Sequence, residues 1–372
     1  MVLLVGPFVG PIRWYFLRWV LSDGTFGVLG FYPWVLWGPI RWYSSRNFCR
    51  AIADKVCMTL PRQVVPGRDY MITRRCSERR FFLRPDDETN NAFIYCLALA
   101  VQRAKVELNF ALAMANHYHA GIHDPDGNFP IFTEHFHGLL ARCMNAHLGR
   151  FENFWSSEAT SVVHLAETND VLDKMTYAFE NPTAADLVDT LEQWPGVSTF
   201  QATVSGGSLT ATRPKHFFRD DSGMPETVTV QIVRPRAFAD LEPKKWADLV
   251  TEHVRTKEAE HRQQREAAGR TVLGRKAILD QNPLDCPSSH APRFRISPRV
   301  AAKNRARIEA LLRNRVFSER YRAAFKAHIA GLADVVFPFG TYWMRKFGKV
   351  ACEAAEAVEA AVCGRSADPA RI

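Results

Sequence analysis

The sharpest feature of the hydrophobic pattern is an apolar run from Val106 to Ala115. It is followed by Asn116-His117-Tyr118-His119 and then the turn Asp124-Pro125-Asp126-Gly127. The run reads as a buried strand, and the segment after Asn116 reads as its partner. Upstream, Asp69-Tyr70-Met71-Ile72-Thr73 is a short β-prone run. Asp86 or Asp87 can cap a helix to about Lys105, with Phe93, Leu97, Val101 and Ala104 at helical spacing. Downstream, Pro130 opens a second helix through His147, with Phe136, Leu139, Leu140 and Met144 on one face and Gly149 as its stop. Thr160 to Leu165 is short and β-branched, which predicts a strand. Asn169 or Asp170 caps a third helix, which Asn181-Pro182 stops.

The order strand, helix, strand, strand, helix, strand, helix predicts an α+β domain. Its expected form is an antiparallel sheet with helices on one face, of the ferredoxin-like kind. Beyond Trp194-Pro195-Gly196 the texture changes. Residues 199–238 read as a small β-rich segment and 243–280 as charged helix. Asn282 to Pro298 reads as a linker, 299–330 as a basic helix, and Phe337 to Trp343 as an aromatic turn. Three regions follow: 1–57, 58–198, and a mostly helical, basic 199–372.

Length adds little beyond room for two or three domains in 372 residues. Charge adds more. Between Thr251 and Ala330 there are 18 Lys and Arg against 8 Asp and Glu, while the rest of the chain is close to neutral. A concentrated basic block is the footprint of a polyanion binder, and also that of a solvated, arginine-rich helical surface. The eight cysteines form no Cys-x-x-Cys pair, so neither a zinc site nor a disulfide framework is signalled, and a reducing cytoplasm is expected.

Residues 1–57 are unlike the rest. They hold five of the nine tryptophans and two copies of Gly-Pro-Ile-Arg-Trp-Tyr, at 10–15 and 38–43. Gly24 to Ile40 is uncharged for 17 residues but broken by Gly and Pro, so a membrane span is not expected. The layout is not that of a signal peptide. The expectation is an aromatic extension outside the folded protein, with Met58 reading as a natural start.

The candidate chemistry centres on the His-x-His pair. On a strand, residues two apart share a face, so His117 and His119 project together, about 6–7 Å apart at Cα, with Tyr118 opposite. Two such imidazoles can share a metal ion; two ordinary strand histidines look the same in sequence. His123 lies on the same strand face. His135-Phe136-His137 has the same spelling but sits in a predicted helix, where residues two apart diverge by about 200°, and is rejected as a metal pair. Arg74, Arg75, Arg79 and Arg80 are candidate phosphate contacts, with Phe81 and Phe82 for base stacking. Arg293, Arg295, Arg299, Lys303, Arg305, Arg307, Arg313 and Arg315 extend the basic set.

From about Pro61 to Gly196 the chain resembles the single-tyrosine HUH transposases, the insertion-sequence 200-type and REP-associated tyrosine transposases of bacteria. Four stretches carry the resemblance: Tyr70-Met71-Ile72-Thr73-Arg74-Arg75-Cys76; Asn116-His117-Tyr118-His119; the helix ending near Gly149-Arg150 with Phe154-Trp155 beyond; and Tyr177-Ala178-Phe179-Glu180-Asn181-Pro182. The resemblance implies binding of single-stranded or hairpin DNA and a divalent metal, Mg²⁺ or Mn²⁺, on His117 and His119. It also implies a tyrosine nucleophile, possible homodimers, no small-molecule cofactor and no membrane. Aligned by Phe154-Trp155 and Asn181-Pro182, the family's tyrosine falls at Thr160. His164, four residues on, is then the third-ligand candidate, with His123 the alternative. In this alignment Tyr177 matches a structural tyrosine and is the secondary nucleophile candidate. Three readings stay open: a DNA transposase, a DNA-binding derivative without catalysis, and a metal phosphodiesterase that uses water.

Overall fold

A computed structural model describes residues 18–20, 26–28, 61–289, 300–301 and 304–355. The chain divides into two compact units, 1–57 and 58–372. The described part of the first is an antiparallel pair, β1 (Arg18–Val20) and β2 (Phe26–Val28). The remainder of the 1–57 extension lies outside the described residues.

The second unit opens with the expected order: β3 (Arg68–Arg75), α1 (Asp87–Ala104), β4 (Glu107–Met114), β5 (His117–Asp124), α2 (Phe129–His147), β6 (Ser161–Leu165) and α3 (Thr168–Ala184). Asp86 caps α1, its Oδ1 accepting the Thr89 amide at 2.8 Å. Next come α4 (Phe200–Ser205), β7 (Ser208–Thr212), β8 (Thr227–Gln231), α5 (Pro243–Ala267) and α6 (Arg275–Leu279). The described residues close with β9 (Val300–Ala301), α7 (Asn304–Ile329), β10 (Val336–Phe337), α8 (Trp343–Gly348) and β11 (Ala351–Cys352). Residues beyond 198 thus belong to the same compact unit as the sheet.

The main sheet has the order β4-β5-β3-β6-β9. The first four strands pair antiparallel, and β9 joins β6 in parallel, which makes the sheet mixed. The hairpin β7–β8 is the β-rich segment, and it is tied to α1 by Asn91 and by the Tyr95 hydroxyl, which donates to Pro225 O at 2.7 Å.

Helices cover both faces, not one. Tyr70, Ile72, Ala111, Tyr118, Ala120 and Ile122 pack with apolar residues of α1 and α2. Met71, Phe110, Leu112, Met114 and Leu165 pack with residues of α3, α4 and α5. The physical reason lies in β3 and β4, whose alternate positions are both apolar; such strands need cover on each side. A second correction concerns α3, which runs through Pro182 to Ala184 rather than stopping there. Pro182 offers no amide to Ala178 O. The side chain of Asn181 compensates, its Nδ2 donating to Tyr177 O at 2.6 Å and to Ala178 O at 3.4 Å. No described helix is long and apolar enough to cross a membrane.

Candidate active site

The hairpin β4–β5 turns at Ala115 and Asn116, and β5 then carries His117, His119, Gly121 and His123 on the face that meets α3. The two imidazoles of His117 and His119 stand edge to face, ring centroids 5.0 Å apart. Each has its Nδ1 occupied. His117 Nδ1 lies 2.7 Å from Asn116 Oδ1, and His119 Nδ1 lies 2.8 Å from Thr73 Oγ1 on β3. These partners orient the rings and turn both Nε2 atoms away from the strand, which is how ligating histidines are held. His119 Nε2 is buried and has no hydrogen-bond partner.

Both rings are neutral at physiological pH. Burial, then the nearby Arg75, pushes His117 down to about 4. Burial, then His117 itself, pushes His119 well below its ordinary value. Neutral imidazole is the form that binds metal.

Across from the pair, α3 presents Lys174, Tyr177 and Asn181 on one face, at spacings of three and four. The Tyr177 ring is 5.5 Å from that of His119, and 45% of the residue is exposed. Lys174 Nζ lies 5.2 Å from the Tyr177 ring. Because Asn181 Nδ2 is engaged by Tyr177 O, its Oδ1 is left to face the histidines, where it favours the protonated form of both. Two imidazole nitrogens and one amide oxygen suit a divalent transition ion. Among the described residues, no cluster of three His, Cys, Asp or Glu exists as an alternative.

The other sequence candidates fall elsewhere. His164 is not a third ligand. It pairs with Tyr70 in the β3–β6 ladder and packs on the Tyr70 ring at 5.9 Å, on the sheet face opposite His119. Its cross-strand partner Tyr70 is three residues from Thr73, the partner of His119, and an odd offset on a strand means opposite faces. Thr160 precedes β6, its carbonyl accepting Arg62 Nη2 at 2.8 Å. His123 pairs instead with Asp69 at 2.9 Å.

The arginines divide. Arg74 is not a surface phosphate contact. It points to the α2 side, with Nη1 2.8 Å from His137 Nδ1 and its guanidinium over Trp155 at 5.6 Å. His137 also meets the Tyr118 hydroxyl at 2.5 Å, so this member of the rejected helical His-x-His belongs to the core, while His135 is half-buried. Arg75 is exposed and cross-strand from His117. Arg79 bonds Ser289, and Arg80 bonds Glu78 and the carbonyl of Leu284, so both hold down the 281–289 segment. Arg293, Arg295, Arg299 and Lys303 lie outside the described residues, as does the Arg305 side chain. Within α5 the basic block is largely paired internally: Arg255 with Glu192 and Glu258, Arg265 with Asp186 and Asp189.

Lys174 and Asn181 were not singled out from sequence. Their signal was the spacing Lys-x-x-Tyr-x-x-x-Asn, which places three polar groups on one face of the helix.

No family model matches the chain, and no curated protein matches it. Two solved structures are similar in part. One is a REP-associated tyrosine transposase bound to a REP hairpin, 15% identical with a TM-score of 0.35, covering 50% of this chain and 99% of that one. The other is a transposase candidate from Deinococcus radiodurans R1, 21% identical with a TM-score of 0.25, covering 32% of this chain and 93% of that one.

Proposed function

We propose that this chain is a transposase-like endonuclease that cuts single-stranded or hairpin DNA, with Tyr177 as nucleophile. The observation that carries the reading is the convergence of Tyr177, Asn181 and Lys174 on the His117–His119 pair. A phenol is a weak nucleophile and needs a polarised phosphorus and local positive charge. In this reading His117, His119 and Asn181 hold a divalent ion, which when bound polarises a phosphoryl oxygen. Tyr177 Oη attacks phosphorus, a P–O bond to the phenol forms, one P–O bond of the DNA breaks, and the departing oxygen takes up a proton. Lys174 and Arg75 supply positive charge around the phosphate. The covalent link conserves bond energy for rejoining, as strand transfer requires.

Support also comes from the element order of the 61–196 region and from the strand order β6-β3-β5-β4, which fit the ferredoxin-like domain that the resemblance implies. The readings without a covalent intermediate rested on the absence of tyrosine at position 160. Tyr177 beside His119 supports the covalent reading over them.

The test is incubation of the full chain with a labelled pool of single-stranded and hairpin DNA and Mn²⁺, resolved on a denaturing gel. A protein-linked DNA band is expected. Tyr177→Phe should reduce it by about a thousandfold or more, as removal of a nucleophile does. His119→Ala should abolish it, and Thr160→Ala should leave it. A band that survives in Tyr177→Phe contradicts the assignment, and cleavage without any band favours water as nucleophile.

A further inference from the structure

The face of the sheet turned away from the histidine pair carries a pocket of its own. It lies where β3, β6, the start of α2, the segment before β3 and α7 meet, and its lining includes Gln63, Arg68, Tyr70, His164 and Asn314. Phe129 floors it, its ring 4.7 Å from that of Tyr70. None of the lining residues is acidic. The nearest carboxylate in the sequence register, Asp124 opposite Arg68, is committed to the start of α2, accepting the amides of Asn128 and Phe129 at 2.7 and 2.8 Å.

Two features make the pocket unusual. First, Tyr70 Oη is buried there facing Arg68 and the Val65 backbone as donors, while its own proton meets no protein acceptor. Buried polar groups are nearly always satisfied, so a buried hydroxyl proton facing this space calls for an acceptor. Second, positive charge converges on it. Arg68 and Arg313 both act on His164, and Arg313 also acts on Arg68. After burial, these two guanidiniums hold His164 down to about 3, so the imidazole stays neutral and able to donate one hydrogen bond. Like charges brought together against apolar rings repel one another, and a bound anion relieves that.

We propose that this pocket is a phosphate-binding site, separate from the His117–His119 site and closed by α7. Guanidinium forks match tetrahedral phosphate oxygens, and Tyr70 Oη and Asn314 add neutral donors. The ligand chemistry is a phosphate group, carried either by a free nucleotide or by the backbone of a nucleic acid. Strand β6 connects the pocket to α3, so an occupied site would brace the helix that bears Tyr177. The assignment does not depend on any role for Tyr177.

The test uses the full-length protein and inorganic phosphate as probe, in a calorimetric titration at constant ionic strength. Saturable one-to-one binding is expected. Arg313→Ala, an exposed helix position that leaves the core intact, should weaken it about tenfold, the cost of one charge-assisted contact. His164→Phe should weaken it as well, and His117→Ala should leave it unchanged. No saturable binding, unchanged affinity in both Arg313→Ala and His164→Phe, or loss in His117→Ala would each overturn the site. Competition then names the source. Displacement by a nucleoside monophosphate alone indicates a free nucleotide, and displacement by an oligonucleotide lacking terminal phosphates indicates backbone. Displacement by neither refutes a nucleotide-derived ligand.

Discussion

At the scale of single residues, neighbours in sequence take opposite parts. Arg74 and Arg75 are adjacent, yet strand alternation sends the first into the α2 side and leaves the second exposed beside His117. Arg75→Ala should therefore lower DNA affinity and reduce the salt slope of log K by about one, the loss of one phosphate contact. Arg74→Ala should leave that slope unchanged and lower the melting temperature, because His137 loses a partner and Trp155 a stacked cation. Binding isotherms at several salt concentrations, with melting curves, separate the two. His164 gives a pH signature. Burial, then Arg68 and Arg313, holds it at about 3 in the folded chain, against 6.5 in its ordinary state. The unfolded chain therefore binds more protons between these values, and the stabilising contribution is complete above pH 6.5 and lost as pH falls towards 3. His137, buried beside Arg74, acts with the same sign. Replacing His164 with Phe should flatten the acid decline of melting temperature in that window, measured by scanning calorimetry against wild type.

At the scale of elements, β5 and α3 together make the site, and both depend on one glycine. Gly121 continues the histidine face of β5, and a Cβ there would fall on the Phe110 ring of β4. Phe110 in turn meets Phe179 of α3 edge to face at 6.1 Å. Gly121 is thus what allows α3, with Tyr177 and Asn181, to approach the histidines. Gly121→Ala should cost about 1–3 kcal/mol by overpacking. It should also reduce the covalent DNA product, since Phe110 must shift against the helix. Urea unfolding gives the first quantity and the denaturing gel the second; a stable, fully active variant would show that α3 is positioned by other contacts. The bulge in β4 between Leu108 and Phe110 belongs to the same arrangement, since it sets which face receives the Phe110 ring.

At the scale of the compact unit formed by residues 58–372, the region beyond 198 works as a buttress. Helix α5 lies along α3. Trp246, Val250 and Val254 join the core below the site, and His261 meets Glu180 at 3.1 Å. Arg265 is buried between Asp186 and Asp189 just past the end of α3. Removing one partner of such a group leaves the others unsatisfied, so Arg265→Ala should destabilise by about 1–3 kcal/mol. The loss should appear in chemical denaturation, with no change in the salt slope of DNA binding. The high positive charge of this stretch is therefore in part structural. The positive charge available for a partner lies with Arg75 and with exposed positions of α7 such as Arg313.

Periodicity alone determined the order of the seven elements from β3 to α3 and the shared face of His117 and His119, because both follow from local backbone geometry that each residue imposes on its neighbours. It also determined that His135 and His137 cannot act as a pair, since a helix turns them apart. Tertiary structure decided the rest. Which face of the sheet a strand residue occupies relative to another strand depends on register, and register separated His164 from the histidines that it was expected to join. Which tyrosine meets the pair depends on where α3 docks, and docking is set by Phe110, Phe179 and α5, residues far apart in the chain. Linear alignment of short motifs favoured Thr160 because it measures distance along the chain. The site is assembled across the sheet, where Tyr177, 58 positions after His119, is its neighbour.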